Sequence, residues 1–331
     1  MMSLRAAIIG LGNISGAHIT GWNKAEGVET VAGADISEDA VKGFEEQQGL
    51  PGYTDWREMI EAEKPDLVSV CTPPFLHPPV SIHCLQNGIH VMCEKPMAAD
   101  IAGAVAMARA AREADALLMV AFCHRFHGPI LKMKELLEDG TLGRPLFFRG
   151  CFTGLSDMEG NHRGDLAKAG GGALMDNGSH AVDLYQFLLG EIASVSCRAG
   201  TFLQNMETDD VAVMLFEGEN GCFGEVLVGY SIPPQFTEWR IAGENGVLAL
   251  DDYMAGPVRF WSRETNEWTD YECDTSMTRF ERQFAHFIEC INEGKQPRSN
   301  TETALHTQRA IGAAYQAARG KGLPVEQRKT K

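Results

Sequence analysis

No apolar stretch in this sequence of 331 residues approaches membrane-spanning length. A spanning helix needs roughly 18 apolar residues or more. The longest such run, 116–123, is under half of that. Basic residues are scarce: 29 Lys and Arg stand against 45 Asp and Glu, for a net charge of −16. So acidic a chain is repelled by phosphate backbones and anionic lipid, which sets nucleic-acid and membrane partners aside. It leaves room for a local basic pocket that takes a small anion. The nine cysteines are odd in number and irregularly spaced. They form no C-x-x-C pair and no Cys/His cluster at zinc spacing. They read as reduced thiols of a cytoplasmic protein, and no metal site is expected. Internal repeats and low-complexity segments are missing as well, and 35 Gly and 14 Pro are ordinary for this length. The short apolar stretch after Arg5 breaks at Gly10, too early for a secretory signal.

The apolar fraction, 44%, is enough for sizeable cores, and the length suits two domains. Through residue 124, compact apolar runs at 5–9, 29–35, 67–71, 90–93 and 117–122 alternate with amphipathic stretches. These lie at 14–24, 38–48, 55–63, 79–87 and 101–114, the last with Asp100 as N-cap. Strand and helix in strict alternation predict an α/β Rossmann domain, 1–124, with a doubly wound parallel sheet. From Arg125 the pattern changes. After a helix at 126–140, β-like runs follow at 146–152, 195–203, 211–216, 222–230, 238–242, 247–250 and 258–261, several separated by Gly-rich turns. Helices are predicted at 178–189, 279–292 and 303–318, and a polar tail at 326–331. The second domain, 125–331, is expected to be α+β with a large, mainly antiparallel open sheet.

Gly10-Leu11-Gly12-Asn13-Ile14-Ser15 lies between the first strand and the first helix. The first Gly permits a tight turn, and the second lets main-chain N–H groups approach a pyrophosphate at a helix N-terminus. Ser15 is small enough for helix–strand packing and offers a hydroxyl. Asp35 ends the next strand, near the offset expected of a ribose-binding acid. A carboxylate there accepts ribose hydroxyls and repels a 2′-phosphate, and no Lys or Arg follows in Ile36-Ser37-Glu38. NAD is favoured over NADP.

Two further segments sit at strand ends: Thr72-Pro73-Pro74-Phe75-Leu76-His77 and His90-Val91-Met92-Cys93-Glu94-Lys95-Pro96. With Arg125-Phe126, Gly140-x-x-Gly143 and Gly170-Gly171-Gly172-x-Leu174-x-Asp176-x-Gly178-x-His180-x-x-Asp183, the chain resembles the glucose–fructose oxidoreductase / inositol dehydrogenase / MocA family of sugar and cyclitol dehydrogenases. The resemblance runs from Leu4 to about Val325. It implies an active site between the two domains, with Lys95 beside the nicotinamide and the substrate hydroxyl. It implies Asp176 and His180 as the other catalytic residues, and Thr72, Pro73, His77 and Glu94 against the cofactor. The Lys95–Pro96 peptide is a candidate for cis.

The residue types agree with those roles. An ammonium at Lys95 can stabilise the alkoxide that forms as hydride leaves. Asp176 and His180, four apart, share one face of a helix expected to begin near Asn177. His180 suits proton removal, and Asp176 can orient it or bind a neighbouring hydroxyl. Asp183, one turn on, reads as a structural partner. Arg125 and Arg163 are forks that could hold substrate oxygens or close the cleft by salt bridges. His162 stands where many relatives of this family carry Trp, so the sugar-stacking wall differs. Trp239, Trp261, Trp268 and Tyr271 read as core and sheet-interface packing. The expected activity is reversible, NAD-dependent oxidation of a secondary hydroxyl on a sugar, sugar derivative or cyclitol. An NAD-dependent glycoside hydrolase or lyase, and a catalytically silent cofactor-binding regulator, are the alternatives. Apolar residues on both faces of 222–228 predict a homo-oligomer formed sheet to sheet.

Overall fold

The computed structural model describes residues 3–254 and 256–320; the polar tail at 326–331 lies outside them. The first lobe runs β1 (Leu4–Ile9), α1 (Ser15–Lys24), β2 (Val28–Ala34), α2 (Glu38–Gln48), β3 (Gly52–Tyr53), α3 (Trp56–Glu63), β4 (Leu67–Val70), α4 (His77–Gln86), β5 (His90–Cys93), α5 (Ile101–Glu113) and β6 (Leu118–Val120). All pairs are parallel, in the order β3-β2-β1-β4-β5-β6. The chain switches direction between β1 and β4, where open α/β sheets bind ligands. The strands are apolar at successive positions because both faces are covered. Ala7, Ile9, Val68 and Val70 pack on one side, and Ala6, Ile8, Met92 and Met119 on the other. The two-residue β3 carries too little pattern to be seen in the sequence.

The second lobe runs α6 (Gly128–Glu138), β7 (Pro145–Leu155), α7 (Leu166–Ala169), α8 (Ala173–Leu189), β8 (Ile192–Gly200), β9 (Val211–Gly218), β10 (Phe223–Gly229), β11 (Ser231–Gly243), β12 (Gly246–Leu250), β13 (Val258–Ser262) and β14 (Glu267–Tyr271). Its eight-stranded sheet has the order β14-β13-β12-β11-β7-β10-β9-β8 and is antiparallel except at β7–β10. One face packs on α8 around Phe148, Met214, Val226, Trp239 and Leu248. Three sequence expectations change. β11 extends back through the cis Pro233–Pro234 bond by shifting register against β7 between Ser231 and Phe236. β14 is an added edge strand whose polar face hid it. Trp268, 43% exposed, stands on the outer face under Arg259 rather than in a core.

Two final helices, α9 (Arg279–Glu293) and α10 (Thr301–Ala318), return to the first lobe. Phe284, Phe287 and Ile288 of α9 close one face of the first sheet, while Ala304 and Leu305 of α10 join the core on the other. Gly21 of α1 admits this contact: a Cβ there would fall 2.2 Å from the Phe284 ring. No described helix is long and apolar enough to cross a membrane.

Candidate active site

A cleft of about 980 Å³ runs between the lobes, over the carboxyl ends of β1, β4 and β5. Gly10, Gly12, Asn13, Ile14, Asp35, Thr72, Pro73, Glu94 and Lys95 line it from the first lobe, and Arg163, Asp176 and His180 from the second. Gly10 has φ +94°, and a Cβ there would meet the Cys71 main chain at 2.7 Å. Above Gly12 there is open space. No side chain caps α1; Ser15 N donates to Gly12 O and Ala17 N to Ile14 O, each at 3.0 Å, and the helix N-terminus faces the cleft with its partial positive charge. The Ser15 hydroxyl is spent inside the loop, donating to Gly12 O at 2.7 Å, and not on a ligand as its position had suggested. Asp35 accepts from Leu11 N at 2.7 Å and from Ser37 N at 2.9 Å, while Ser37 caps α2. That holds the carboxylate rigid at the cleft. The Thr72 hydroxyl is buried at the cleft wall without a partner. An open cradle, a fixed carboxylate and an orphaned hydroxyl fit a dinucleotide.

Behind this wall lies a buried hydrogen-bond chain. Trp22 Nε1 donates to Ser69 Oγ at 2.8 Å, Ser69 Oγ and His18 Nδ1 are 2.8 Å apart, and His18 Nε2 lies 2.9 Å from Glu94 Oε1. The ionised carboxylate can only accept, so the proton sits on Nε2 and Ser69 donates to Nδ1. Burial works against the Glu94 carboxylate, but the His18 hydrogen bond and the Lys95 charge outweigh it and hold its pKa low. The Lys95–Pro96 bond is cis, and Glu94 Oε2 accepts from Lys95 N at 3.1 Å. His77, expected against the cofactor, instead stands behind the wall. It is fully buried, with its nitrogens 2.9 Å from Pro96 O and 2.8 Å from Thr72 O. The ring ties the two cofactor-side turns together.

Opposite, Lys95 Nζ donates to Asp176 Oδ1 and, at 3.3 Å, to Asp176 O. Asp176 Oδ2 accepts from Tyr230 OH at 2.8 Å and pairs with Arg163 Nε at 3.0 Å. Burial alone would raise the Asp176 pKa. The Lys95 and Arg163 charges outweigh it and press the carboxyl well below its ordinary range. His180 is buried, with Nδ1 unpartnered and its ring 4.2 Å from that of His124. Nδ1 is closed off, so Nε2 is the nitrogen left to the cleft. Burial lowers the pKa of both rings well below the ordinary value, and Lys95 and Arg279 add to that, so both are neutral near pH 7.

The helix carrying this pair begins at Ala173, not near Asn177. Gly170, Gly171 and Gly172 look like a break, but Gly172 is the N-cap position. The cap comes from outside the helix. Asp209 accepts from Gly172 N and Leu174 N, each at 2.9 Å. Tyr315 OH, from α10, donates to Asp209 at 2.6 Å and accepts from Gly172 N and Met175 N. A Cβ on Gly171 would fall 2.2 Å from that hydroxyl, and one on Gly172 would fall 1.9 Å from Asp209 O. The glycines exist so that the cap can approach.

Arg125 does not reach the cleft. Its Nε and Nη2 donate to Asp183 at 2.8 and 2.6 Å, and Nη1 donates to Arg298 O at 2.7 Å, all in the interior. It is a bolt between lobes, in which loss of one partner costs about 3–5 kcal/mol. Sequence reasoning missed Tyr230, Asp209, Tyr315 and Arg279, which come from distant segments with no motif around them, and His124, which directly precedes Arg125-Phe126.

Residues 4–122 match the GFO/IDH/MocA oxidoreductase family with an NAD-binding Rossmann fold, and residues 130–249 match the GFO/IDH/MocA C-terminal domain. The chain belongs to this family. It is 27% identical to a D-apiose dehydrogenase of Paraburkholderia graminis, over 97% of this chain and 89% of that one. It is 25% identical to the NAD(+) scyllo-inositol 2-dehydrogenase of Bacillus subtilis, over 98% and 96%. Among solved structures, an aldose–aldose oxidoreductase from Caulobacter crescentus complexed with glycerol superposes with a TM-score of 0.87 at 27% identity, covering 96% of this chain and 98% of that one. As in other GFO/IDH/MocA proteins, the first domain is thus an NAD-binding Rossmann fold.

Proposed function

We propose that this GFO/IDH/MocA oxidoreductase reversibly oxidises a secondary hydroxyl of a sugar, sugar derivative or cyclitol, using NAD. One observation carries the reading: Lys95 from the first lobe meets Asp176 from the second, beside His180, on one wall of the cofactor cleft. Gly10, Gly12, Asn13 and Ile14 would hold the pyrophosphate, Asp35 a ribose, and Thr72, Pro73 and Glu94 the nicotinamide end. Bound NAD would supply the hydride acceptor for the alcohol carbon. The chain's own residues do the rest. Lys95 and Asp176 hold the reacting hydroxyl in line and Lys95 stabilises the alkoxide as it forms. His180 Nε2, neutral near pH 7, accepts the hydroxyl proton. Arg163 and Tyr230 fix the Asp176 carboxylate so that it does not turn away. Purified protein with NAD and a panel of sugars and cyclitols, read by the absorbance of reduced nicotinamide, tests this. Turnover of none of them, or faster turnover with NADP, would sink it.

The same reading extends to assembly. On the outer face of the second sheet, Phe147 and Phe223 are paired neighbours, with Val213 and Leu215 exposed alongside. Such a patch suits a homo-oligomer joined sheet to sheet. Light scattering at micromolar concentration should show a multimer that Phe223→Glu dissociates; a monomeric parent protein contradicts it. All nine cysteines are unpaired, as suits a cytoplasmic protein.

A further inference from the structure

Arg279 opens α9 and reaches the cleft near His180. It makes no ion pair among the described residues, and its Nε is buried without an acceptor. Arg279 is half-buried, with its guanidinium carbon 4.8 Å from the centre of the Phe280 ring, and a partly desolvated charge without an anionic partner carries a cost. Its position adds to the cost, since a helix N-terminus already carries partial positive charge. The acid of that first turn, Glu281, is committed elsewhere: it closes a capping box with Thr278 and pairs with Lys24. The other neighbours bring no counter-charge. Burial pushes the adjoining Cys123 thiol up to about 11, and His124 and His180 are neutral. Towards Lys95 the charges balance without Arg279: Lys95 lies between the carboxylates of Asp176 and Glu94, and Arg163 pairs with Asp176. In a chain of net charge −16, this end of the cleft keeps an unspent cation.

We propose that the substrate is a polyhydroxy carboxylate, an aldonic or uronic acid, whose carboxylate binds Arg279 while its reacting hydroxyl lies among Lys95, Asp176 and His180. The inference rests on the dehydrogenase reading above and narrows it. A guanidinium fork matches a planar carboxylate through two parallel hydrogen bonds. One unpaired cation balances one negative charge, which favours a carboxylate over a phosphate dianion. Binding there also neutralises a charge that weakens His180 as a base, so an acid substrate prepares its own proton acceptor.

The test titrates the NADH-bound protein with D-glucuronate, D-galacturonate and D-gluconate, with D-glucose and D-galactose as neutral counterparts and glucose 6-phosphate as the phosphate arm. At least one acid should bind about tenfold or more tightly than its counterpart, the range of a charge-assisted pair. Arg279→Met should erase that difference, keep NAD affinity, and melt no lower than the parent, because it removes a cation from a helix N-terminus. Equal affinity for acids and neutral sugars, tightest binding of the phosphate, a variant that keeps the preference, or one that loses NAD affinity in parallel would each overturn the proposal. NADH formation over the same panel reports separately. An acid held through Arg279 but never oxidised would fell the dehydrogenase reading and leave the carboxylate site in place.

Discussion

The two walls of the cleft are built by different means. The cofactor wall comes from short segments at strand ends, and its loops carry braces near in sequence, Ser15 on Gly12, Ser37 on Asp35 and His77 on Thr72, backed by one longer buried chain through His18 to Glu94. The opposite wall hangs on one helix terminus held from afar. Asp209 and Tyr315 cap α8 across 35 to 143 residues, and Tyr230 reaches Asp176 across 54. A locally braced wall should tolerate damage elsewhere and lose one function at a time. A remotely braced wall should couple catalysis to stability.

Four substitutions or titrations press on this contrast. Lys95→Ala, where the walls meet, should lower kcat on the order of a thousandfold and leave NAD affinity largely unchanged. Steady-state kinetics beside NAD titration checks it; near-normal turnover would mean the two walls do not act together. Asp209→Ala touches no ligand, yet it removes the acceptor of two buried N–H groups and a tyrosine hydroxyl. It should cost about 3 kcal/mol of stability and depress kcat while sparing NAD affinity. A melting curve like the parent's would show that the remote cap is dispensable. Asp35→Ala should do the opposite: NAD affinity falls roughly ten- to a hundredfold, the preference over NADP narrows, and the melting temperature barely moves.

The smallest effect concerns pH. Burial lowers the pKa of His127 to about 4, with Arg279 and Arg282 adding to it, and burial likewise depresses His124 and His180. Between pH 4 and 6.5 the unfolded chain therefore binds more protons at these sites than the folded one. The stability they contribute is complete above pH 6.5 and is lost as pH falls through the folded values. His127→Gln keeps a donor for Tyr253 O and removes one such titration. It should flatten the decline in melting temperature between pH 6.5 and 4 by an amount on the order of 1 kcal/mol. An unchanged slope would place the acid sensitivity elsewhere.

Much of the first lobe was legible because its physics is local. Strands buried on both faces read as apolar runs, Asp100 announces α5, and the Gly10-x-Gly12 turn sits where a strand gives way to a helix. The second lobe was harder. Three successive glycines at 170–172 imitate a loop, and nothing near them in sequence says that a distant carboxylate caps the helix they begin. Arg125 beside a motif suggested a ligand contact, although its partner, Asp183, lies 58 residues on. Arg279 follows Thr278 in an ordinary capping sequence, and only the returning path of α9 turns it towards the cleft.

By itself, the sequence determined two sheets of different kind, a dinucleotide loop with its ribose acid, and the types of the reacting side chains. Those properties follow from neighbours along the chain, through periodicity, turn geometry and the chemistry of single groups. Tertiary structure decided which charges are spent and which remain. Arg125, Arg163 and Arg279 are alike as letters. Folding buries the first against Asp183, shares the second with Lys95 on Asp176, and leaves the third open to the cleft, because pairing depends on distances that no local spacing encodes.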